Sequence, residues 1–158
     1  MGAPSGHQTQ EVVMSYFTGP HLRIYAPEFS LEQRKIMAQE LTQAIADALQ
    51  LDEVRQSSIL IHFCVCRLDC TAVGGRLLSE TEEPYYHLEF CGHALSQERK
   101  AALGRRLMPL MQELLNVPPS EAQRISLIFN EVPPGDWLMG TRSRHYKSMV
   151  ESGSGRLE

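Results

Sequence analysis

The sequence lacks the signatures of several common chemistries. It has no phosphate-cradling G-x-x-x-x-G-K, no G-x-G-x-x-G dinucleotide turn and no G-x-S-x-G elbow. Its six histidines form no H-x-x-x-H pair and its four cysteines no C-x-x-C. No apolar run approaches the roughly 20 residues that cross a bilayer. The opening MGAPSGHQTQEVV has neither a basic n-region nor an apolar centre, so no signal peptide is read there. With 15 basic and 19 acidic residues, the net charge of −4 argues against a surface that coats nucleic acid. These absences leave a cofactor-free protein with no membrane or nucleic-acid partner, expected in the cytoplasm.

Cysteine needs separate treatment. Cys64, Cys66 and Cys70 follow His62, and Cys91 follows Phe90. Such a set could hold zinc. However, Cys64 and Cys66 stand at strand spacing, and unpaired cysteine is commonly a small buried apolar residue. The expectation is no metal. Closely placed thiols without an export signal fit a reducing compartment.

What is present is a regular alternation. Pro20 heads a stretch in which Leu22 and Ile24 alternate with His21, Arg23 and Tyr25, the period of a strand with one apolar face. Ala26-Pro27-Glu28 breaks it. Ser30 stands three residues before Gln33, the spacing of a capping box. Ile36, Met37, Leu41, Ile45, Ala48 and Leu49 then recur at helical spacing, which predicts a helix from about Leu31 to Leu49. After a loop at Asp52-Glu53, the run from Ser58 to Val65 is apolar enough for a strand buried on both faces.

The same order recurs at nearly the same interval. Pro84 heads a strand from Tyr85 to Phe90, broken by Cys91-Gly92-His93. Ser96 caps a helix carrying Leu103, Leu107, Leu110, Met111 and Leu114. Pro109 falls inside it, at a cost of about 3 kcal/mol, and predicts either a kink or a misplaced boundary. Asn116 to Pro119 ends the helix, and Ile125, Leu127 and Phe129 alternate in a last strand. Gly74-Gly75 reads as a turn between the halves.

A crossover helix makes the strands of each unit parallel and the connection right-handed. The chain is therefore read as α+β: tandem β-α-β units in a four-stranded mixed sheet, with two helices on one face. The units span about 20–75 and 84–140, after an extension at 1–19 and before a polar tail at 141–158. The other sheet face is read as apolar too, and in need of cover by further copies.

Pro20 followed by SLEQRKIMAQELTQAIADAL, together with ISLIFNEVPPGDWLMG from Ile125 to Gly140, resembles the tautomerase superfamily. This is the group of 4-oxalocrotonate tautomerase, 5-(carboxymethyl)-2-hydroxymuconate isomerase and macrophage migration inhibitory factor. The resemblance implies a MIF-like fold and a homotrimer. It also implies proline-based proton transfer on small keto–enol acids, usually dicarboxylates. In that family a terminal proline with a depressed pKa is the base, arginines hold the carboxylates and an aromatic ring lowers the dielectric. Carried onto this sequence, the base is Pro20 and the aromatic is Trp137. The family's loop arginine falls near Phe29 and its strand arginine near Ser126, so Arg124 and Arg67 stand as the nearest substitutes. Pro20 follows Gly19, and an amide nitrogen is no base. The isomerase reading therefore requires a chain that begins at Pro20; the alternative is a non-catalytic trimeric binding protein. A proline heading a strand also has a structural reading, since the first position needs no ladder donor.

Overall fold

The computed structural model describes residues 19–81 and 83–133. Strand β1 (His21–Ala26) leads to helix α1 (Leu31–Leu49), a short helix α2 (Glu53–Gln56) and strand β2 (Leu60–Val65). A small hairpin of β3 (Ala72–Val73) and β4 (Arg76–Leu77) follows, then a turn of helix α3 (Leu78–Thr81). The second unit runs through β5 (Tyr86–Gly92), α4 (Gln97–Leu114) and β6 (Ile125–Glu131).

The four long strands form one sheet in the order β2-β1-β5-β6. β1 pairs with β2 in parallel, β5 with β6 in parallel, and β1 meets β5 antiparallel. This is the expected mixed sheet of two β-α-β units. The antiparallel junction puts Pro20, at the start of β1, beside the end of β5, because His21 lies opposite Cys91.

Local chemistry explains the helix limits. The Ser30 hydroxyl accepts from the Gln33 amide at 3.1 Å, while the Gln33 side chain accepts from the Ser30 amide at 2.9 Å. That is the reciprocal capping box, and it satisfies two otherwise orphaned donors. Ser96 accepts from the Arg99 amide at 3.2 Å and caps α4 by that single bond, without the reciprocal partner. α1 ends at Gln50 and α4 near Asn116, both in the left-handed region, at φ 54° and 52°. Gly74 and Gly75, at φ 60° and 82°, make the two-residue turn of the β3–β4 hairpin, where both central positions need positive φ.

The core lies between the sheet and the two helices. Leu22 and Ile24 of β1, Leu88 and Phe90 of β5, Leu41 and Ile45 of α1, and Leu103, Leu107 and Met111 of α4 are fully buried. Each such side chain contributes about 1.5–3 kcal/mol by leaving water.

Six expectations are corrected. β2 is an outer strand, so it is not buried on both faces: Leu60 and Val65 are exposed. β5 continues through Cys91 and Gly92, because both still pair with β6. The Asp52 loop contains α2, nucleated by the Asp52 carboxylate accepting from the Arg55 amide at 2.8 Å. The helix-free sheet face is mostly polar; its register places His21, Arg23, Tyr25, His87 and Glu89 there. On α1, Ile36 points outward at 46% exposure. α4 runs unbroken through Pro109, which is exposed, so the ring needs no space in the core. Among the described residues the cysteines are unpaired thiols, and no group of three or more metal-binding side chains gathers. No described helix is long and apolar enough to cross a membrane.

Candidate functional site

Pro20 is buried at the head of β1, and its carbonyl accepts from the Leu60 amide at 3.1 Å. Gly19 before it is also buried, pressed on the Ser58 carbonyl. A side chain there would collide with that backbone, so the close approach requires glycine.

A cavity of about 90 Å³ opens beside Pro20. Its apolar wall comes from Leu49 and Leu51 after α1, Phe90 of β5, and Leu95. Its ionisable lining consists of Arg55, Arg99 and His93, with no carboxylate among the lining residues. Each is positioned by local structure. Arg55 sits on α2 within 3.8 Å of Asp52. Arg99, in the first turn of α4, donates to the Ala94 carbonyl at 3.0 Å. The His93 Nδ1 is hydrogen-bonded to the Val132 carbonyl, and Val132 in turn donates to Gly92 at 2.9 Å. These last bonds tie the exits of β5 and β6 together at the Pro20 end. Cations in a partly apolar cavity suit a small anion, and guanidinium groups suit carboxylates.

The expected partners of Pro20 sit elsewhere. The Arg124 guanidinium donates to the Pro84 carbonyl at 3.0 Å and pairs with Glu121. It lies at the start of β6, the end of the sheet opposite Pro20. Arg67 follows β2 at that same far end and is ion-paired to Asp69 at 2.5 Å. The intervening strand length is about 20 Å, at roughly 3.3 Å per residue. Within one chain, neither arginine joins Pro20. Trp137 lies outside the described residues.

The residues that do surround Pro20 are gathered by sheet topology rather than by any spacing along the sequence. An antiparallel β1–β5 junction carries His93 and the α4 start to the Pro20 end, and the α1 exit carries Arg55 there. Reading each unit separately hid this, because the cavity combines both.

Comparison with known proteins agrees with the fold. Residues 84–146 match the family model described as Tautomerase enzyme, so the match begins at Pro84. No curated protein matches the chain. Among solved structures, the F6 fused 4-OT wild-type asymmetric trimer is 21% identical, with a TM-score of 0.65 over 82% of this chain and 98% of that one. Native fused 4-OT is 17% identical, with a TM-score of 0.69 over the same shares of 82% and 98%. Macrophage migration inhibitory factor of Toxoplasma gondii is 19% identical, with a TM-score of 0.59 over 77% of this chain and 97% of that one. Residues 84–146 carry the sequence pattern of that family, and the chain as a whole, with two β-α-β units in one sheet, has the fold of the fused 4-OT and macrophage migration inhibitory factor structures.

Proposed function

We propose that this chain binds a small carboxylate in the Pro20 cavity, as one of three copies, and acts as a keto–enol isomerase when Pro20 carries a free amine. The supporting observation is the cavity itself, where Pro20 stands among apolar side chains and three groups able to carry positive charge. A secondary amine in that setting has a depressed pKa, because burial and nearby cations disfavour its charged form. It can then take a proton from carbon and return one to oxygen, or the reverse, near neutral pH. Arg55 and Arg99 hold the carboxylate by charge-assisted hydrogen bonds. Arg67 and Arg124 reach such a ligand only from a neighbouring copy, and Trp137 is the aromatic group that the resemblance offers.

While Gly19 is attached, the Pro20 nitrogen is part of a planar amide and its lone pair is delocalised. The buried packing of Gly19 on Ser58 favours a second reading, a tautomerase-like protein that binds the acid without isomerising it. Assembly into three copies is supported by the likeness to a fused 4-OT trimer and by the exposed outer strands β2 and β6.

The test compares the full-length chain with one made to begin at Pro20, using phenylpyruvate or 2-hydroxymuconate. Tautomerisation is expected to be absent or weak in the first and to rise in the second. A trimmed protein that folds, assembles and stays inactive would leave only the binding reading.

A further inference from the structure

Two residues that line the Pro20 cavity, Leu49 and Arg99, also line a second and larger space. It is a surface groove of about 400 Å³ between the end of α1 and the first turns of α4. The two spaces therefore adjoin, and Arg99 stands where they meet. Arg105 lines the groove too, and also the next stretch of the α1–α4 seam, where Arg106 pairs with Asp47 at 2.8 Å. Arg105 thus marks the end of the groove away from Pro20.

The helix sequences account for the opening. Ala48 of α1 and Ala102 of α4 both line it. A methyl group is too short to bridge two helices, so a channel stays open between them. Arg99, Ala102 and Arg105 recur at every third position, which makes each the surface neighbour of the next. The two arginine positions lie about 9 Å apart along the axis, at 1.5 Å per residue. Arg99 donates to the Ala94 carbonyl at 3.0 Å, and Arg106 is taken by Asp47. Arg105 is exposed and has no hydrogen bond or ion pair among the described residues. The lining includes one carboxylate, Glu98, against two guanidinium groups.

Size decides what this arrangement takes. A pocket that encloses a small ligand measures about 300–1,000 Å³. The Pro20 cavity, at about 90 Å³, falls well short and admits a carboxylate with the first atoms attached to it. The rest of a larger acid has to lie outside. The adjoining groove has the room, and with it the site enters the usual range.

We propose that the ligand of this site is an elongated acid with an anionic group at each end. One end sits in the Pro20 cavity, the body crosses Ala48 and Ala102, and Arg105 holds the far end by charge-assisted hydrogen bonds. The proposal rests on the carboxylate-binding reading of the Pro20 cavity. It adds the length of the ligand and the residue that reads it. Arg105 is a specificity residue, remote from the atoms between which a proton would move.

Calorimetric titration of the full-length chain with unbranched α,ω-dicarboxylates, from butanedioate to decanedioate, tests this. Monocarboxylates of matching length serve as controls. The long diacids are expected to bind more tightly than butanedioate and than the matching monoacids. Arg105→Gln is expected to weaken the long diacids by about two- to fivefold, the worth of an exposed ion pair, and to leave butanedioate and the monoacids unchanged. Ala102→Leu, which fills the floor between the arginines, is expected to weaken the long diacids selectively as well. Equal losses at every length, or wild-type binding that ignores length, would overturn the groove reading and leave the Pro20 cavity as a carboxylate site. So would a length preference shared by the monoacids and untouched by Arg105→Gln, since apolar contact alone would then explain it. No measurable binding of any diacid would overturn the carboxylate reading of the cavity itself, and the groove with it.

Discussion

Gly19 rests on Ser58 so closely that a methyl group on its α-carbon would overlap the Ser58 carbonyl. The contact joins the residue before the strand-heading proline to the residue that leads into β2. It holds the Gly19–Pro20 amide inside the fold.

Gly19→Ala is therefore expected to destabilise the protein. The nearest obstructing atom is the Ser58 carbonyl oxygen, which cannot swing aside as the neighbouring Ser58 hydroxyl can. A cost of about 1–3 kcal/mol follows, the usual range for overpacking. Urea unfolding of the two proteins measures it; an unchanged midpoint would show that the chain start moves freely off β2.

The arginines separate the two sets of candidates. Arg99→Ala is expected to weaken binding of a small dicarboxylate by about 1.5–3 kcal/mol, the worth of a hydrogen bond to a charged group. Arg124→Ala, at the opposite sheet end and occupied with Pro84 and Glu121, affects binding only if a neighbouring copy brings it to the cavity. Calorimetric titration of both variants decides which set holds the ligand. Equal losses would place the ligand between chains, and a loss confined to Arg124→Ala would move it away from the Pro20 cavity.

Pro109 offers a stability gain. It sits exposed in an unbroken α4, where it removes one backbone hydrogen bond and crowds the preceding turn. Pro109→Ala is expected to raise stability by about 1–3 kcal/mol without altering the core. Thermal melting reports it. No gain would mean that the helix already accommodates the ring without strain.

Much of the fold was legible in the sequence. Local rules set it: alternation at Leu22 and Ile24, the Ser30–Gln33 box, the Ser96 cap, and the glycine pair at a tight turn. Each depends on neighbours a few residues apart, and the duplicated order then implied two parallel units. β2 misled, because a dense apolar run looks alike in a central strand and in an outer strand awaiting a partner.

Tertiary structure alone decided the surroundings of Pro20. The sequence supplied the proline, both helix caps and the cations, but not which end of the sheet each would occupy. The antiparallel meeting of β1 with β5 settled that. It reverses the second unit against the first, so His93 and Arg99 arrive beside Pro20 while Arg124 is carried to Pro84. Spacing along a chain encodes local periodicity. The relative direction of two units is set by how their apolar faces share one core, and that is a property of packing.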